Sequence, residues 1–175
     1  MSPAPVALLL TNILHFLATF SLAILSGIAL SLTIWCIPLV RLAPTTSSKI
    51  RQFNHIIQLG FTYLQPSSRI IPACLVAAIA IAFTNGDPRW KHYVATVAVM
   101  IPTGPWEVYL VFPINDEIKA MGQSLEKGKE DFGNPRDQEL ERRLDDWVKW
   151  HTGRIVAPML GTGILLASAL DMLPF

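Results

Sequence analysis

The chain has 175 residues, 51% of them hydrophobic and only 15% charged, with a formal net charge of +1. An average soluble domain is about a quarter charged, so the composition argues against a water-soluble core. The near-neutral balance, without a basic stripe interleaved with aromatics, argues against a nucleic-acid surface. The charges are also segregated. No Asp, Glu, Lys or Arg precedes Arg41, whereas Lys119 to Lys149 is dense in both signs. That pattern predicts a small polytopic membrane protein.

The first apolar segment, Val6–Val40, is longer than one span requires. Its membrane part is placed at residues 15–37, with the earlier residues interfacial. It has no basic n-region, and its apolar run exceeds the roughly 7–15 residues of a signal-peptide core, so it reads as a retained helix. Thr19, Ala23, Gly27 and Ser31 put a small residue at every fourth position, which permits close approach by another helix or a homo-oligomeric partner. Arg41–Arg69 opens with Ala43-Pro-Thr-Thr-Ser-Ser48, a loop and helix start. Ile50, Phe53, Ile57 and Phe61 then recur at near-helical spacing, so Ile50–Leu64 reads as an interfacial or re-entrant helix.

The second span is residues 66–84, followed by the tight turn Asn85-Gly-Asp-Pro88. The third is residues 93–112. Residues 117–150 form the one hydrophilic loop, broken at Gly133-Asn-Pro135, with a helix resuming at Asp137 and running into a fourth span at 155–173. Each span is to be helical, because an open chain in lipid must satisfy its own backbone hydrogen bonds. The expected fold is therefore an all-α membrane protein: one integral membrane domain over residues 1–175, a four-helix antiparallel bundle with an interfacial helix between spans 1 and 2. Cys36 and Cys74 fall in or near spans and read as buried thiols.

Twelve of the basic residues fall after the first span, after the third, or at Arg154, against Arg89 and Lys91 alone on the other side. The positive-inside rule then places both long loops in the cytosol and both termini outside it. With no targeting signal visible, the endoplasmic reticulum is the expected membrane.

Glu107 is the only acid well inside a span. A carboxylate in hydrocarbon costs at least a few kcal/mol, so something must pair it, hydrate it or keep it protonated. Asn115 and Asp116 close the same span at its cytosolic end, and Trp147, His151 and Arg154 open the next from the same side. Positions 147, 151 and 154 share one helix face. Antiparallel packing would bring Glu107 within reach of His151 or Arg154. A histidine can hold a proton near neutral pH, and an arginine can stabilise negative charge on oxygen. His55, beside Asn54 and Gln58, could face the same mouth. A metal held by Glu107, His151 and His55 stays open, although no short-range ligand spacing supports it. The remaining histidines, His15 and His92, read as span flanks.

Pro105-Trp-Glu-Val-Tyr-Leu-Val-Phe-Pro-Ile-Asn-Asp116, followed by Trp147-Val-Lys-Trp-His-Thr-Gly-Arg154, resembles the paired signature of the anthrone oxygenase-like proteins. These are small four-span membrane proteins common in fungal aromatic polyketide gene clusters. The pattern is a Pro-x-Asn turn after the third span and Trp-x-x-x-His-x-x-Arg at the start of the fourth. Gly27 and Gly60 also sit where the family tends to have glycine. The chain departs from many broader members, which have threonine at Glu107, and matches the fungal version there.

The resemblance implies a monooxygenase that converts an anthrone to an anthraquinone, with O2 as co-substrate and no required cofactor. It implies His151 or Glu107 as base, Arg154 and Asn115 stabilising the enolate, and Trp147, Tyr109, Trp106 and His55 around a small aromatic polyketide drawn from the lipid bilayer. The competing readings are a non-catalytic membrane scaffold and a same-fold oxygenase for another phenolic polyketide.

Overall fold

A computed structural model describes residues 5–125 and 135–170, apart from the side chains of Ser68 and Pro135. These residues are almost wholly helical and contain no strand: α1 (Pro5–Ser31), α2 (Ile37–Arg41), α3 (Thr46–Tyr63), α4 (Ser67–Thr84), α5 (Trp90–Met100), α6 (Thr103–Trp106), α7 (Phe112–Leu125) and α8 (Pro135–Ala169). Two π-helical turns, Leu32–Cys36 and Glu107–Val111, lie between α1 and α2 and between α6 and α7. The all-α class read from the sequence is the observed one.

Among the described residues three helical runs are long and apolar enough to cross a membrane: Pro5–Arg41, Trp90–Leu125 and Arg136–Ala169. Arg69–Thr84 is a shorter apolar helix. Many large apolar side chains on these runs face outward, among them Phe16, Phe20, Trp35, Val76 and Met159. Water would penalise such a surface, whereas lipid tails are as apolar as the side chains themselves.

Helix α1 begins at Pro5, so the residues ahead of the expected membrane part are helical too. The helix boundaries differ from the sequence expectation in two places. Helix α7 continues through Pro113 to Leu125, into the segment expected to be loop, and α3 starts at Thr46, four residues early. The early start of α3 has a local cause. Thr45 accepts from the Ser48 backbone N–H while Ser48 accepts from the Thr45 N–H, a reciprocal capping box. Residues 171–173 of the fourth span, and Gly133 and Asn134 of the loop break, lie outside the described residues.

The described residues fall into two compact units, one within Met1–Gly27, Gln65–Thr103 and Val156–Phe175, the other Ile28–Leu64 with Gly104–Ile155. The first is built on Ala18 and Leu22 of α1, Ile71, Leu75, Ala78 and Ala82 of α4, Tyr93 of α5 and Leu165 of α8. The α4–α5 turn falls at the expected Asn85-Gly-Asp-Pro88, where Gly86 takes a φ of 69° that side chains rarely adopt. Asp87 accepts from the backbone N–H of Arg89 and pairs with its guanidinium. Burial acts to raise the Asp87 pKa, but those Arg89 contacts outweigh it and hold the carboxyl below its usual range. The small-residue ladder of α1 is not what packs within this unit. Ala23 is exposed and a Cβ at Gly27 would meet nothing, while Thr11, His15, Ala18, Leu22 and Ser26 form the buried stripe. Cys36 and Cys74 are both free and half-buried.

The second unit is built on Ile37 and Val40 of α2, Ile50 and Phe53 of α3, Ile114 and Ile118 of α7, and Leu140, Leu144 and Trp147 of α8. The polar first half of α8 is tied down by ion pairs. Lys49 Nζ lies 2.8 Å from Glu141 and 3.1 Å from Asp137, and Arg41 pairs with Glu141 and Asp145. Burial acts to lower the Lys49 pKa, but hydrogen bonds to Glu141 and Asp137 outweigh it and hold the ammonium above the ordinary lysine range.

Both π-turns share a local origin. Proline has no N–H, and its ring crowds the carbonyl four residues back. Ile37 precedes Pro38 and bonds back five residues to the Leu32 carbonyl. Phe112 precedes Pro113 and bonds back five residues to the Glu107 carbonyl. In each case the helix widens by one residue immediately before the proline.

Candidate active site

The candidate residues come together where the second π-turn and α7 run antiparallel to the middle of α8, all within the second unit. Glu107 opens the π-turn, and its Oε1 lies 2.6 Å from Arg154 Nε. Their side chains are 22% and 26% exposed, so the partner that a buried carboxylate requires is Arg154. Eight residues further on, Asn115 Oδ1 accepts from the indole N–H of Trp147 at 2.9 Å. These two contacts fix the register between the helices.

Trp147 is fully buried and stacks flat on His151, with ring centroids 4.2 Å apart and planes 11° from parallel. Phe53 meets the other partner of this stack edge-on, its ring 5.5 Å from that of Trp147. His151 has no solvent exposure, and its Nε2 lies 3.1 Å from the Ala29 carbonyl. A carbonyl can only accept, so Nε2 carries a proton and donates. In the neutral ring Nδ1 then holds the lone pair, and among the described residues Nδ1 is buried without a hydrogen-bond partner. The ring is thus held as one tautomer with its basic nitrogen unused. Its measured partner is a backbone carbonyl; the ion pair of Glu107 is made with Arg154.

Trp106 donates its indole N–H to the Trp150 carbonyl at 2.8 Å and packs edge-on against the Trp150 ring. Gly153 makes this approach possible, because a Cβ there would fall 2.4 Å from the Trp106 ring. Gly153→Ala is expected to destabilise the protein by about 1–3 kcal/mol through overpacking. Combining it with Trp106→Leu should recover much of that loss in thermal unfolding; an unaltered midpoint for the single variant would contradict the close approach.

A cleft of about 590 Å³ opens between α3 and α7, with Asn54, Gln58 and Phe61 on one wall and Asn115, Asp116 and Lys119 on the other. Of the four residues expected to be catalytic, Asn115 alone lines it. His55 is exposed on α3, and Tyr109 is 76% exposed, so neither joins the contacts above. Among the described residues no group of three or more His, Cys, Asp or Glu is placed to hold a metal ion, and Glu107, His151 and His55 form no such trio.

Sequence reasoning missed three participants. The Ala29 carbonyl is a backbone group with no sequence signature. Gly153 is legible only once Trp106 is known to lie against it. The amides of Asn54 and Gln58 stood beside His55 in the sequence but pointed to a site only through the cleft.

A buried, tautomer-fixed histidine next to a carboxylate–guanidinium pair, on helices apolar enough to span a bilayer, defines a membrane protein with acid–base groups held out of water. The family model described as anthrone oxygenase matches residues 53–164, and the chain belongs to that family. The match begins in α3 and ends in α8, so it includes Glu107, Asn115, Trp147, His151 and Arg154. No curated protein and no solved structure matches the chain significantly.

Proposed function

We propose that this protein is a membrane-embedded oxygenase that converts an anthrone to the corresponding anthraquinone with O2, within aromatic polyketide secondary metabolism of the fungal type. The observation that carries the reading is His151, whose Nε2–H is held by Ala29 while Nδ1 stays buried and unpartnered. Between the two candidate bases, this favours His151, because the Glu107 carboxylate is already engaged by Arg154.

The methylene opposite the anthrone carbonyl is acidic, since its carbanion is delocalised over two rings and onto oxygen. His151 Nδ1 takes that proton. Arg154, held by its pair with Glu107, stabilises the enolate oxygen together with the Asn115 amide. The anion passes one electron to O2, and the radical recombines with superoxide to form a C–O bond at the former methylene. The resulting peroxide loses water to leave the second quinone carbonyl. One anthrone and one O2 thus give one anthraquinone and one water, and this balance needs no further cofactor. Such flat apolar substrates partition into bilayers, and the excess of basic residues in the loops beside the site supports a position at the cytosolic face.

A non-catalytic scaffold would present its polar cluster to a partner, whereas His151 and Trp147 are closed to solvent; the α3–α7 cleft touches the cluster at Asn115, and not at Glu107 or His151. The test is O2 uptake by purified protein supplied with an anthrone. Stoichiometric uptake with quinone formation is expected, and its absence would remove the proposal. A rate abolished by chelators would bring back the metal-dependent reading.

A further inference from the structure

We propose that the α3–α7 cleft binds the oxygenated edge of a flat polyphenolic ligand, with Asn115 as the donor to its carbonyl. The identity of that ligand as an oxidisable anthrone rests on the proposed function; the binding chemistry itself rests on the cleft.

At about 590 Å³ the cleft falls within the usual range of small-ligand sites. Its polar groups are mostly neutral. Asn54 and Gln58 on α3 each offer a donor and an acceptor, which suits a carbonyl with a neighbouring phenol. The Trp147 indole N–H can only donate, so it captures the Asn115 oxygen and leaves the Asn115 NH2 as a pure donor at the cleft wall. A donor-only amide selects an acceptor, namely a carbonyl or enolate oxygen. Lys119, one helical turn beyond Asn115, adds a cation for a phenolate.

The ring faces have apolar neighbours in Phe61 and Ile57. Phe61 also packs on Phe112, ring centroids 5.7 Å apart, which bounds the cleft on the side of the π-turn. Towards the other end α3 and α7 close together, since a Cβ at Gly122 would fall 2.8 Å from Ile50. An acyl chain would leave these amides unpaired wherever it closed them off from water. A phosphate would meet one lysine and the opposing Asp116 carboxylate. A planar molecule with oxygens along one edge satisfies both the amides and the aromatic wall. Asn115 is itself held by Trp147, whose ring stacks on His151.

The experiment titrates 1,8-dihydroxyanthraquinone into the full chain in lipid nanodiscs, with anthracene as the apolar control. The variants are Asn54→Leu with Gln58→Leu, and separately Gln58→Trp to fill the cleft. Each should weaken hydroxyanthraquinone binding about tenfold or more and keep the thermal midpoint near wild type; anthracene binding should be retained in the double-leucine variant and weakened in Gln58→Trp. In turnover the same variants should raise KM with kcat within about twofold. Wild-type binding without anthrone oxidation would overturn the oxygenase reading and leave the cleft standing. Oxidation with unchanged KM and unchanged affinity in both variants would overturn the cleft alone.

Discussion

His151→Gln is expected to lower anthrone turnover by about a hundredfold or more, the usual cost of losing a general base, while the protein remains folded. Glutamine is the informative replacement because its side-chain N–H can still donate to the Ala29 carbonyl, the bond that His151 Nε2 makes. What glutamine lacks is a basic lone pair corresponding to Nδ1. Alanine at the same site would leave that carbonyl unpaired and strip the stack from Trp147. A rate lost in the alanine variant would therefore mix chemistry with stability. The readouts are kcat from O2 uptake and the thermal midpoint of the same preparation. Undiminished kcat in a folded glutamine variant would dismiss His151 as the base and return attention to Glu107.

Arg154→Met is expected to cost about 3 kcal/mol of stability, the low end for breaking a buried pair because both side chains keep roughly a quarter of their exposure. The loss arises less from the missing attraction than from the Glu107 carboxylate stranded in an apolar helix bundle. Glu107→Gln in the Arg154→Met background should therefore restore most of the stability, since a neutral amide is far cheaper to bury. A double-mutant cycle in detergent unfolding measures the coupling directly. A coupling near zero would mean that each charge is adequately hydrated without the other. The doubly neutral protein should still be poorly active if Arg154 stabilises the enolate, which separates its part in folding from its part in the reaction.

Much of this arrangement was legible from residue type and spacing. A lone acid in a span demands a partner, and Glu107 has one in Arg154. The i, i+4 spacing of Trp147 and His151 predicts a shared face, and the two rings stack. Other features were hidden for identifiable reasons. The acceptor for His151 is the carbonyl of Ala29, and main-chain groups carry no letter in a sequence. The ladder through Ala23 and Gly27 permits close approach from inside the chain or from another subunit, and its spacing does not say which; the buried contacts of α1 are made by the stripe through His15, Ala18 and Leu22. The stretch Phe112–Leu125 turns polar from Asn115 onward, which resembles a loop, but the polarity belongs to a helix that buries Ile114, Ile118 and Leu125 on one side. Each π-turn ends just before a proline, at Ile37-Pro38 and Phe112-Pro113, but Pro72 and Pro158 lie inside α-helices without such a turn, so an interior proline does not by itself mark one.

The second of those turns sets the angular phase of everything that follows it. Asn115 lies eight residues after Glu107, which in a uniform α-helix would place it about 80° around the axis. A turn that absorbs one extra residue brings the pair back to within about 20° of each other. Glu107 can thus meet Arg154 while Asn115 meets Trp147 on the same side of α8. Exchanging side chains along this helix retunes the groups on that side without turning it. Adding or removing a single residue between Glu107 and Asn115 would swing Asn115, Asp116 and Lys119 together by about a quarter of a circle. The orientation of the cleft wall is in that sense recorded in a residue count, and length changes are the steps by which a related protein would acquire a differently facing one.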